Sequence, residues 1–166
     1  MTALPTTPRI VLDTNVWLDL LRFRDPRAAA LQAALHVGEV VAVTDLECRE
    51  EWLRVLDYPL LRLNQGQRND LLAAFDALAR SLPAAIRRPE VTLPRCRDSD
   101  DQKFLRLAHA SGARWLLSRD RHLLSLGPRC RRDGWFEITT PEAWAAIPTA
   151  RTGTTPSPAA ARCRAG

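Results

Sequence analysis

Four short apolar runs divide this chain, and the segments between them decide what it can fold into. They are RIVL ahead of Asp13, EVVAV at 39–43, RWLLS at 114–118 and WFEIT at 135–139. Each is too short for a helix and runs into turn or capping residues, which is the pattern of a buried strand. Between them the apolar positions recur at helical spacing. A helix begins at Val16; PRAAALQAALHV opens on a proline tolerated in a first turn and stops at Gly38; LECREEWLRVL runs from 46 toward Pro59. Further helices are read over 66–82, over 98–110 with Gly112 closing it, over 121–127, and from Pro141 onward. Strands that alternate with helices form a mostly parallel sheet covered on both faces, so the expected fold is a three-layer α/β/α sandwich. In such sheets the functional cleft lies at the carboxyl ends of the strands.

The expected domain spans 9–147. Residues 1–8 read as a loose leader, and 148–166, which carry no periodic apolar face, read as a disordered tail. No apolar run approaches the length of a bilayer, and the N-terminus lacks the basic and apolar segments of a secretory signal. A cytoplasmic protein without a membrane partner is expected. Cys48, Cys96, Cys130 and Cys163 have no metal-type spacing, and His36, His109 and His122 form no cluster, so reduced thiols and no zinc site are expected. The formal charge is +5, carried by arginine apart from Lys103, the only lysine. A basic balance points to an anionic partner, usually nucleic acid, although an arginine-only bias beside abundant Ala, Leu and Pro resembles genome composition.

Against that balance, CRDSDDQKF at 96–104 sets three carboxylates within four positions. Helix capping accounts for part of it: Ser99 as N-cap, Gln102 completing a capping box, Asp100 and Asp101 in the first turn. Topology adds the rest. Asp13 and Asp120 directly follow strands; Glu47 and Glu51 lie four apart on one face of the helix after the second strand. Asp98, Asp100 and Asp101 begin a helix that returns toward the next strand, so four segments bring acids to one rim. Singly, each acid has an ordinary role as turn residue, N-cap or solvated helix position. Together they repel, by roughly 1–4 kcal/mol for each pair about 4 Å apart, and need protons or cations. Carboxylates and water select Mg²⁺ or Mn²⁺, ions suited to phosphodiester hydrolysis. Arg95, Arg97, Arg119 and Arg121 flank the acids as candidate phosphate contacts. Lys103 either contacts the scissile phosphate or pairs with Asp100 or Asp101.

DTNVWLDLL, EEWLRVL, CRDSDDQKFLRLA and WLLSRDRHLL, in that order, together resemble the PIN domain. More narrowly they resemble its bacterial branch of toxins from toxin–antitoxin pairs, over about residues 9–147. The resemblance implies a Mg²⁺- or Mn²⁺-dependent ribonuclease that leaves 5′-phosphate and 3′-hydroxyl ends and uses no histidine base. It implies catalytic roles for Asp13, Glu51, Asp101 and Asp120, adds Asp98 as a metal ligand, and puts Thr14, Asn15 and Ser118 in support. EEWLRVL favours Glu51 over Glu47 and Glu50. Arg97, Lys103, Arg119 and Arg121 are the candidate RNA contacts. A cognate antitoxin and a second copy of the chain are the candidate protein partners, and the number of ions, one or two, stays open. Two other readings remain. One is an aspartyl-phosphate phosphatase using Asp13, against which Asn15 stands where a second aspartate is wanted. The other is a non-catalytic RNA- or partner-binding module.

Overall fold

The computed structural model describes residues 6–83 and 88–148. Five parallel strands form one sheet in the order β3-β2-β1-β4-β5: β1 (Arg9–Leu12), β2 (Val41–Thr44), β3 (Ala79–Ser81), β4 (Trp115–Leu117) and β5 (Glu137–Thr139). The helices are α1 (Thr14–Leu18), prolonged by a π-helical turn (Asp19–Phe23); α2 (Ala29–His36), entered through a 3-10 turn (Pro26–Ala28); α3 (Leu46–Leu56); and α4 (Gln65–Leu78). Then come α5 (Gln102–Ser111), entered through a 3-10 turn (Ser99–Asp101), α6 (Arg121–Ser125), α7 (Gly127–Arg132) and α8 (Pro141–Ala145). This is the expected three-layer sandwich.

The central strands are apolar throughout because both faces of the sheet are covered. Successive residues of a strand point to opposite faces, and the core divides in two accordingly. Ile10, Leu12, Trp115 and Leu117 pack on one side with Val16 of α1 and Phe75 of α4. Val11, Leu116 and Ile138 pack on the other with Phe104 and Leu105 of α5 and Leu123 of α6. Aromatic contacts tighten the first side. Phe75 stacks on Trp52 at 5.5 Å and meets Trp17 at 4.6 Å, while Trp115 touches Trp144 edge-on at 6.0 Å.

Three departures from the sequence reading bear most on which elements exist or where they end. The helix expected over 66–82 ends at Leu78, and Ala79–Ser81 pairs with Ala42, Val43 and Thr44 as an edge strand. Its residues carry no apolar alternation; backbone pairing with β2 makes it a strand. The second strand starts at Val41 rather than 39, because Gly38 at φ +74° ends α2 in a Schellman closure, with Glu39 N donating to Ala34 O at 2.9 Å. Finally, α7 follows α6 where only one short helix was expected. Gly127 lets it approach β5, since a Cβ there would lie 3.1 Å from the Ile138 carbonyl oxygen.

Cys48, Cys96 and Cys130 are buried and unbridged. Cys163, the first five residues of the leader and the tail from 149 lie outside the described residues, as do 84–87 in the connection ahead of α5. Among the described residues no helix is long and apolar enough to cross a membrane.

Candidate active site

From β1 the chain lays β2 and β3 to one side, then β4 and β5 to the other. The crevice of an open parallel sheet lies where that direction reverses, at the carboxyl ends of the strands, here between β1 and β4. Asp13 and Ser118 are the first residues past those strands and meet across the gap. Asp13 N donates to Leu117 O at 2.9 Å, which continues the ladder by one rung. Ser118 Oγ donates to Asp13 Oδ2 at 2.6 Å and accepts from Asp120 N at 2.9 Å, so one buried hydroxyl links two acids. Asp13 itself is 3% exposed. Burial raises its pKa, the bond from Ser118 opposes the rise, and the charge of Glu51 adds to it.

The second acid comes from α3. Asp45 caps this helix by accepting from Cys48 N at 3.0 Å, and Glu51 follows on the face turned to the rim. Its Oε1 accepts from Thr14 Oγ1 at 2.5 Å, and its Oε2 is paired with Lys103 Nζ. Of the alternatives, Glu47 is engaged by Arg106 at 2.9 Å and Glu50 is exposed. Glu51 is the one of the three whose charge acts on both Asp13 and Asp101. Contrary to the expected pairing with the Asp100 or Asp101 carboxylate, Lys103 has Glu51 as its ion-pair partner. It is 4% exposed, and besides Glu51 it reaches the Asp100 carbonyl at 2.5 Å.

The acidic stretch ahead of α5 is built differently from a capping box on Ser99. Asp98 is the N-cap, its Oδ1 accepting from Asp100 N at 2.9 Å. The first turn is wound as 3-10 helix, so Gln102 reaches past Ser99. Its Oε1 accepts from Cys96 N at 2.8 Å and its Nε2 donates to Pro94 O at 3.1 Å, fastening the incoming segment to α5. Asp101 follows the cap. Burial pushes its carboxyl up to about 7, and the charges of Asp13, Asp98, Asp120 and Glu51 add to the rise. Carboxylates from four separate segments thus act on one another here.

Asp120 caps α6, with Oδ1 accepting from His122 N at 2.7 Å and Leu123 N at 3.1 Å. The neighbouring Arg119 does not face the rim as a phosphate contact would. Its Nε donates to Asp19 Oδ2 at 2.5 Å and its Nη1 to Glu142 Oε1 at 2.6 Å, bridging the π-helical turn to α8. Arg97 and Arg121 are exposed and have no ion-pair partner among the described residues, and Asn15 is exposed beside Thr14. The Thr14–Glu51 and Glu51–Lys103 contacts were not read from the sequence; the lone lysine was the signal that could have found the second.

Among the described residues no group of three or more Asp, Glu, His or Cys is arranged to hold a metal ion. Glu51 is paired with Lys103, and Asp98 and Asp120 each accept a backbone N–H at a helix cap. The chemistry of the donors still fits one. Every group whose charge raises Asp101 is a carboxylate, a hard oxygen donor, and the set has more negative charge than Lys103 alone offsets. A family model described as PIN domain matches residues 9–122, a stretch that contains all five of these acids. Nothing among the curated proteins or the solved structures matches.

Proposed function

This chain belongs to the PIN domain family, whose members are generally nucleases, and from that premise we propose that it is a Mg²⁺- or Mn²⁺-dependent ribonuclease. The observation that supports this most directly is the electrostatic convergence on Asp101, whose carboxyl is lifted to about 7 by burial and by four other carboxylates. Carboxylates so crowded need a proton or a cation to offset their charge, and a divalent ion can serve several of them at once. Asp13, Asp101 and Asp120 offer oxygens to the ion, with Asp98 beside them and Glu51 directly or through water. A bound divalent cation supplies a water of lowered pKa and a counter-charge for the leaving oxygen. Ser118 aligns Asp13 and favours its charged form, opposing the rise that burial imposes, since its hydroxyl donates to the carboxylate. Arg97 and Arg121 supply exposed charge for RNA phosphates.

The burial of Asp13 and the bond on its Oδ2 weigh against an aspartyl-phosphate phosphatase, because a nucleophile must reach its phosphorus unobstructed. The motif resemblance extends the proposal to the toxin of a toxin–antitoxin pair, acting in the cytoplasm, restrained by a cognate antitoxin and able to pair with a second copy. The deciding experiment incubates the purified chain with single-stranded and structured RNA in Mn²⁺ or EDTA, beside Asp13→Asn. Cleavage that needs the metal and disappears in the variant supports the reading; binding without cleavage in Mn²⁺ overturns it. Induced expression that arrests growth, relieved by the same substitution, is the expected sign of a toxin.

A further inference from the structure

Lys103 is the chain's only lysine and, among the described residues, the only basic side chain that is fully buried. Its ammonium sits where three acid-bearing segments meet. It pairs with Glu51 on α3 and reaches the Asp100 carbonyl, one residue before Asp101. Glu51 is in turn bonded on its other oxygen by Thr14, one residue after Asp13. An ammonium buried to this degree is strongly disfavoured unless paired, so the contact with Glu51 is a fixed part of the site. Both Glu51 oxygens are thus already engaged. A pair of divalent ions about 4 Å apart needs carboxylates free to bridge or flank both ions. On the Glu51 side a positive charge is already in place.

We propose that Lys103 is a built-in cation that occupies the place of a second divalent ion, so that the centre takes up a single Mg²⁺ or Mn²⁺ at Asp13, Asp101 and Asp120. The inference rests on the metal-dependent reading above and deepens it. The ammonium neutralises Glu51 and ties α3 to the start of α5. The remaining carboxylates are left to one ion. This also accounts for Lys rather than Arg in an otherwise arginine-only chain: a compact ammonium fills an ion-sized position, and a planar guanidinium does not.

The test counts ions. Mn²⁺ bound to the full chain is measured by equilibrium dialysis with elemental analysis, and its electron paramagnetic resonance spectrum reports whether two ions are close enough to couple. The wild type should bind one Mn²⁺ per chain with an uncoupled spectrum. Lys103→Met, which keeps length and removes charge, should bind two with a coupled spectrum. Two ions in the wild type, or one ion in Lys103→Met, overturns the proposal. Should Lys103→Met fail to fold, Lys103→Gln decides by the same count, since it keeps a donor toward Glu51 and the Asp100 carbonyl without the charge. It should bind two Mn²⁺ with a coupled spectrum. One ion in Lys103→Gln overturns the proposal. A wild type that cleaves RNA with two ions bound defeats this inference alone. A wild type that binds none defeats the ribonuclease reading with it.

Discussion

Replacing Asp101 with asparagine should stabilise the metal-free protein above neutral pH while removing its proposed activity. Burial, and after it the charges of Asp13, Asp98, Asp120 and Glu51, lift the Asp101 pKa from 3.8 to about 7. A carboxyl whose pKa is raised by folding holds its proton more tightly in the native state. Its contribution to stability is therefore complete below about pH 4 and is lost as pH rises through about 7. About three pKa units correspond to at most about 4 kcal/mol. Asp101 is partly open to solvent, and screening reduces the figure to about 1–2 kcal/mol. Asparagine has nearly the same shape without the charge, so Asp101→Asn should escape that loss. The assay is urea unfolding in EDTA at several pH values from 4 to 8. Wild type and variant should agree near pH 4 and separate as pH rises, with the variant more stable by about 1–2 kcal/mol at pH 8. Mn²⁺ should then raise wild-type stability and leave the variant nearly unchanged. A variant less stable than wild type at pH 8, or a gap independent of pH, would refute the electrostatic account of the cluster.

Three further outcomes are expected. Ser118→Ala removes a hydrogen bond to the buried Asp13 carboxylate, worth about 1.5–3 kcal/mol, and should lower kcat/KM for RNA by at least about tenfold; unchanged cleavage would deny Ser118 its role. Arg97→Ala and Arg121→Ala should each weaken RNA binding evenly across sequences and reduce the steepness of its salt dependence by about one phosphate contact, read from titrations at several salt concentrations. Trp144→Ala opens a cavity beside Trp115 and should cost about 3–5 kcal/mol in chemical denaturation, far more than either arginine change.

What the sequence disclosed, and what it concealed, divides along the range of the interactions. The strands ahead of Asp13 and Asp120 were legible because an apolar run buried on both faces is a local signal, and their positions alone put both acids at one rim. Helical spacing put Glu47 and Glu51 on one face, and the EEWLRVL resemblance singled out Glu51. Edge strand β3 was invisible, since Ala79, Arg80 and Ser81 gain their conformation from β2, over thirty residues away, and not from their own pattern. Arg119 was misplaced for the same reason. Its partners Asp19 and Glu142 stand on elements that nothing in its neighbourhood announces, so a flanking arginine looked like a phosphate contact. The cap at Asp98 was missed by one residue because a 3-10 first turn shifts the register on which the capping-box rule depends.

The Arg119 bridge also bears on where the protein can be cut. The stretch matched to the family stops at His122, yet the partners that hold its end in place lie further along. Ser118 N donates to Thr139 O, β4 lines up along β5, Arg119 is gripped by Glu142, and Trp144 lies against Trp115. A chain ended after His122 would keep every proposed acid and lose the supports that position Ser118 and Asp120. It would also expose one edge of β4 and the ring of Trp115, making it a substrate for aggregation or proteolysis. The recognisable motif is therefore smaller than the packed body that supports it, and the last short helix belongs with the acids it helps to position.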